Sequence, residues 1–226
     1  PMVIVTRPGN PRSITGFSDL AQPGLRLLHA DPRTSGAGQW AVLAEYGSAL
    51  PEAGGEEAAL RLRSGQAEAE LQAIWHNVRL LGTSARATMT LFELGAGDAF
   101  VTYEHDALLA QERGASLEVV VPPHTIVAQH VAVIVDDNVT PGERPVAQAF
   151  IRFLLSEAGQ QALSRYHLRP ADLEGERFPE ISQPFTVDDL GGWSRAYSQV
   201  VEAIWQTEIE PHLDLEPAPT MLGTGE

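Results

Sequence analysis

Two spacings of apolar residues alternate along this chain and lay out its elements. Residues 2–6 are a β-branched run closed by the turn cluster Arg7-Pro8-Gly9-Asn10-Pro11, which predicts a strand. A helical turn is expected at 16–20, capped by Thr15 or Ser18, and a second strand at 25–29. A helix-like run follows at 40–50. After a break at Gly54-Gly55 comes a longer helix, 56–78, with Leu60, Leu71, Ile74, Trp75 and Val78 at helical spacing and Gly65 as an interruption. Helices are expected again at 87–94 and 104–112, with a strand at 99–103 between them, opened by Gly95-Ala96-Gly97-Asp98. Residues 117–121 and 131–135 are strongly β-branched and read as strands. Val146, Phe150, Phe153 and Leu154 make one apolar stripe on a helix spanning 145–166, and a last helix is expected at 194–209. Residues 216–226 are rich in proline and glycine and are expected to be disordered. Strands and helices alternate without an internal repeat, the pattern of α/β layers.

Composition narrows the function more than the fold. The formal charge of −15 argues against a nucleic-acid backbone or an anionic membrane as the main partner. It also obliges any anion site to work through local dipoles against an unfavourable global field. The chain has no cysteine, which excludes disulfides, thiolate metal sites and cysteine nucleophiles. No window reaches the roughly 18 uninterrupted apolar residues of a membrane helix. No signal peptide is visible, and because the sequence starts straight into a strand pattern, a chain trimmed at its front is expected.

The chemistry concentrates in two turns. In Asp31-Pro32-Arg33-Thr34-Ser35-Gly36-Ala37-Gly38-Gln39-Trp40, an apolar run leads in, a helix leads away, and small residues with hydroxyls at Thr34 and Ser35 lie between. A strand that turns through Ser-Gly-Ala into a helix exposes backbone N–H groups backed by the positive end of the helix dipole, which suits an anion. The alternative is an ordinary N-cap, with Thr34 or Ser35 accepting a bond from the first turn and nothing bound. Gly82-Thr83-Ser84-Ala85-Arg86 is a second turn of the same type.

Taken together with the segments around them, these turns resemble those of the periplasmic sulfate/thiosulfate-binding proteins that feed ABC importers. The resemblance is carried by Arg7-Pro8-Gly9-Asn10-Pro11, Asp31 to Gly36, Ser84-Ala85-Arg86, and Gly97-Asp98 through Tyr103-Glu104 to Ala107-Leu108-Leu109. Further on it is carried by Ser156 to Gln160, Tyr166 to Pro170, Phe185-Thr186-Val187 and Gly191-Gly192-Trp193. It implies a type II periplasmic-binding-protein-like α/β fold, a two-lobed clamp with one nearly complete lobe at 8–121. An incomplete first lobe would come from 1–7 and 122–215. It implies sulfate or a related tetrahedral oxyanion such as thiosulfate or molybdate as ligand, an ABC permease as partner, and a periplasmic location.

The oxyanion contacts it implies are the hydroxyl and N–H of Ser35, the N–H groups of Gly36, Ala37 and Ala85, and Tyr103, where the family carries a tryptophan. Thr34 and Arg86 flank them. Exchange of a donor-only indole for a phenol that also accepts bears on selectivity. A pocket of donors alone favours unprotonated sulfate over protonated phosphate. The missing front of the family pattern predicts weakened binding, and uncovered apolar faces predict a homo-oligomer.

Other readings are weaker. Arg86 is expected to pair with a carboxylate. Glu104, His105 and Asp106, with His124 and His130, invite a metal, but adjacent residues do not point to one centre, so neither metal nor cofactor is expected. Ser35 sits in no Gly-x-Ser-x-Gly elbow, which argues against an enzyme. Trp40, Trp75, Trp193 and Trp205 read as packing residues. The competing function is a non-transport interaction or oligomeric module on the same scaffold.

Overall fold

The protein is described by a computed structural model over residues 1–50, 65–171 and 178–217. It divides into two compact units: Pro1–Ala128 with the stretch from Ile181 onward, and Gln129–Glu180.

The first unit is built on a five-stranded sheet in the order β3-β2-β4-β1-β5. Its strands are β1 (Met2–Thr6), β2 (Leu27–Ala30), β3 (Val78–Gly82), β4 (Ala99–Tyr103) and β5 (Glu118–Val120). β2 runs parallel to β3 and β4, whereas β1 is antiparallel to both β4 and β5. Residues 2–6 thus supply an interior strand of this sheet. The run Met-Val-Ile-Val suits that place because both faces of β1 are covered. Met2 and Ile4 join one apolar core while Val3 and Val5 join the other.

The first core packs helices α1 (Gly36–Ser48), α2 (Gly65–His76) and the C-terminal helix on one face, through Val42, Tyr46, Ile74, Trp75, Val200 and Trp205. The second core packs α3 (Ala85–Glu93) and α4 (Glu104–Glu112) on the other, through Phe92, Phe100 and Ala107. The result is a three-layer α/β arrangement. A short parallel pair, β6 (His124–Ile126) and β7 (Gln183–Phe185), which the sequence pattern did not announce, lies against α1. Its anchors are Thr125, donating to the Met2 carbonyl at 2.7 Å, and Ile126, fully buried.

In the second unit, α5 (Arg144–Leu154) and α6 (Glu157–Arg165) replace the single helix expected at 145–166. The break is a capping event. Ser156 turns extended, donates its hydroxyl to the Phe153 carbonyl, and accepts the Gly159 N–H at 3.2 Å. The strand expected at 131–135 does not form. β-branched residues favour a strand only where a neighbouring strand supplies the ladder, and none is present among the described residues of this unit.

The chain ends with α7 (Trp193–Ala196), continuing as a π-helix over Tyr197–Ile209. Glu216, expected in a disordered tail, is held instead: its N–H bonds the Arg79 carbonyl at 2.7 Å and its carboxylate meets Arg26 at 2.5 Å. The break at Gly54-Gly55, Leu60, the front of the helix expected at 56–78, and residues 218–226 lie outside the described residues.

Candidate functional site

β2, β3 and β4 run in the same direction, so their C-terminal ends open at one edge of the sheet. Chain order reverses about β2, with β3 on one side and β4 on the other. In open α/β sheets that is where ligands are held. Each strand end feeds a helix: Ala30 leads through 31–35 into α1, Gly82 through 83–84 into α3, and Tyr103 directly into α4. The parallel register sets Ala30 beside Gly82, so the two hydroxyl-rich turns are neighbours, although more than 40 residues of chain separate them.

The first turn is held by Asp31. Its carbonyl accepts the N–H groups of Thr34 at 3.1 Å and Ser35 at 2.8 Å, and its carboxylate accepts that of Arg33 at 2.8 Å. The Ser35 N–H, expected to face a ligand, is therefore already used within the turn. The Ser35 hydroxyl caps no N–H of α1 and has no hydrogen-bond partner among the described residues, although Ser35 is buried. Gly36 and Ala37, the first two residues of α1, carry N–H groups with no acceptor among the described residues. These are the orphan donors of a helix start, here on a helix of 13 residues.

The ordinary cap expected as the alternative occurs at the second turn. Ser84 accepts the Ala87 N–H at 3.1 Å, and its carbonyl takes both the N–H and the hydroxyl of Thr88. Ala85 N–H, at the first position of α3, has no acceptor among the described residues. Thr34 ties the two turns together: its hydroxyl donates to the Thr83 carbonyl at 3.1 Å. That bond turns the Thr34 proton away from any guest. Arg86 is exposed and has no carboxylate partner among the described residues.

Tyr103 closes the third side. A methyl group placed on Gly36 would stand 4.0 Å from the Tyr103 hydroxyl, which finds no hydrogen-bond partner among the described residues. Burial, and then the nearby Asp106 carboxylate, push the phenol's pKa up to about 12, so it is a neutral donor throughout the physiological range. Its ring stacks on His105 at 5.4 Å. Two glycines are required by close approach rather than by φ. A methyl group at Gly38 would meet the Ala30 carbonyl oxygen and stand 2.7 Å from Pro32 N, and one at Gly82 would stand 2.6 Å from Thr88 N.

Comparison with known proteins decides the family. A model of the bacterial extracellular solute-binding protein family matches residues 1–169. The chain belongs to that family. It is 35% identical over 201 residues to a sulfate-binding protein of Synechococcus elongatus, covering 86% of this chain and 55% of that protein. It is 30% identical over 200 residues to a thiosulfate-binding protein of Pseudomonas aeruginosa, covering 84% of this chain and 58% of that one. Among solved structures, the sulfate-binding protein SubI from Mycobacterium tuberculosis superposes with a TM-score of 0.75 at 26% identity, over 88% of this chain and 67% of that one. The chain thus spans little more than half the length of these curated relatives, with the mixed α/β fold of periplasmic binding proteins. No described helix is long and apolar enough to cross a membrane.

Three contacts around this family member's site carried no signal in sequence. Arg33 forms a bidentate pair with Glu210, at 2.5 and 2.6 Å, fastening the first turn to the C-terminal helix 177 residues away. His29 on β2 and Glu45 on α1 are fully buried, with Nε2 and Oε1 3.0 Å apart but not hydrogen-bonded to each other. Trp75 donates its indole N–H to the other Glu45 oxygen at 2.8 Å and stacks on His29 at 4.6 Å. This cluster binds α1 and α2 to the strand that ends in the site.

Proposed function

We propose that this chain carries oxyanion-contacting turns of a solute-binding protein for sulfate or a related tetrahedral anion such as thiosulfate, serving an ABC importer outside the cytoplasmic membrane. The contacts are the Ser35 hydroxyl, the N–H groups of Gly36, Ala37 and Ala85, and the Tyr103 hydroxyl, with Thr34 fixing the turns and Arg86 at the rim. The role is capture rather than catalysis. The single observation that carries the reading is two helix starts with unspent N–H groups, joined by one hydrogen bond at the open end of a parallel sheet.

Neutral donors suffice for such a guest. Each helix start contributes about 0.3–1 kcal/mol of favourable dipole interaction with an anion. Charge-assisted hydrogen bonds then replace water around the oxygens. Because the chain spans only part of its relatives' length, the affinity proposed for it alone is weak.

Isothermal titration with sulfate, thiosulfate and molybdate, against chloride at equal ionic strength, tests the proposal. Binding of the tetrahedral anions that Ser35→Ala and Tyr103→Phe each weaken supports it. Equal heats for all four anions, or binding indifferent to both substitutions, overturns it.

A further inference from the structure

Two side chains brace the first turn of the site from outside. That of Thr34 reaches the second turn, and that of Arg33 reaches Glu210. Nε and Nη2 of Arg33 donate to the two Glu210 oxygens at 2.5 and 2.6 Å, a paired fork that fixes direction as well as distance. The Arg33 N–H is meanwhile held by the Asp31 carboxylate at 2.8 Å, so the residue is fixed at both its main chain and its tip. Glu210 stands on a firm base. It directly follows the π-helix over Tyr197–Ile209, which Val201, Ile204, Trp205 and Ile209 anchor in the first core, and the Pro211 ring restricts the backbone just beyond. Arg33 lies only three residues ahead of Gly36, where the unspent N–H groups of α1 begin.

We infer that Arg33 and Glu210 are positioning residues of the anion site: neither touches the guest, and the pair between them holds residues 31–35 so that the Ser35 hydroxyl and the N–H groups of Gly36 and Ala37 face it together. The inference rests on the oxyanion reading above and deepens it. A site of neutral donors has no charge to pull a guest into place, so its affinity depends on how firmly the donors are aimed. The fork of Arg33 is spent on Glu210, which compensates the guanidinium charge and keeps it out of the donor set. The sign of the effect separates positioning from charge. Were Arg33 to act on the anion as a cation, removing Glu210 would release it and strengthen binding; as a positioning pair, losing either member weakens binding. A second ion pair supplies the comparison. Arg26, ahead of β2 and so at the end of the strand away from the turn, meets Glu216 at 2.5 Å. The Arg26 and Arg33 side chains are similarly exposed, 50% and 57%, so the two pairs differ in place rather than in kind.

Isothermal titration of the full chain with sulfate at constant ionic strength tests it. Arg33→Ala and Glu210→Ala should each raise the sulfate Kd about fivefold, the most that a pair at the surface contributes. The double variant should bind no more weakly than either single one. Glu210→Gln keeps one acceptor for the fork and should fall between parent and alanine. Arg26→Ala should bind as the parent does. Sulfate binding that Glu210→Ala leaves unchanged or strengthens overturns the inference. So does a loss on Arg26→Ala equal to that on Arg33→Ala, because the effect would then be general to the fold. A parent chain that binds no tetrahedral anion fails the oxyanion reading and this inference together, whereas a parent that binds sulfate while the Arg33 and Glu210 variants match it fails this inference alone.

Discussion

Replacing Glu45 with alanine tests how the strand that ends in the site is held to its helices. The carboxylate is fully buried, 3.0 Å from His29 Nε2 and 2.8 Å from the Trp75 indole nitrogen, and both partners are themselves fully buried. Alanine leaves the Trp75 N–H without an acceptor, a loss of about 1–3 kcal/mol. It also empties buried space beside His29 and Trp75, and a large-to-alanine change in a core costs about 2–5 kcal/mol. These terms overlap, so a loss of about 4 kcal/mol is expected. With a urea slope of about 2 kcal/mol/M, the unfolding midpoint should fall by about 2 M. All four tryptophans (40, 75, 193 and 205) lie in the first compact unit, so their fluorescence follows the unfolding of that unit alone. Glu45→Gln keeps an acceptor for the indole and should lose roughly half as much. An alanine variant within about 1 kcal/mol of the parent would refute the reasoning, because the cost of burying the Glu45 side chain would then cancel what its contacts contribute.

Gly38→Ala should destabilise by about 2 kcal/mol and weaken sulfate binding, since its methyl group meets backbone at Ala30 and Pro32, with no flexible side chain to yield; melting and calorimetry read the two effects. Tyr103, and Tyr46 likewise through its burial and then Glu68, are pushed up to about 12, so both should ionise late in an absorbance titration. Tyr103→Phe should remove one late step. For a phenol raised on folding, the stabilisation is complete below pH 10 and is lost as pH rises from about 10 to about 12; stability in that window should therefore fall less steeply in the variant. Arg33→Ala and Glu210→Ala should each speed amide exchange across residues 31–35 to the same degree, and the double variant should add nothing, as expected of two groups in one contact.

What the sequence determined by itself was local. The runs at 2–6, 99–103 and 104–112 carried their periodicity in a few adjacent residues, and β1, β4 and α4 occupy those bounds. The two hydroxyl turns were legible because small residues ahead of a helix leave donors unpaired wherever the helix lies. Where the chain had to find a distant partner, pattern was not enough. Residues 131–135 have strand composition without a strand beside them among the described residues, and residues 145–166 have one apolar stripe but are divided by the Ser156 cap.

Tertiary structure alone decided that Thr34 meets Thr83, that Arg33 reaches Glu210, and that the Ser35 N–H is spent on Asp31. It also placed His29 against Glu45, two residues with no recognisable spacing. A helix closes its hydrogen bonds within four residues, so sequence encodes it directly. A sheet edge or a site closes its bonds across tens or hundreds of residues, and only the folded chain sets which donor is left over.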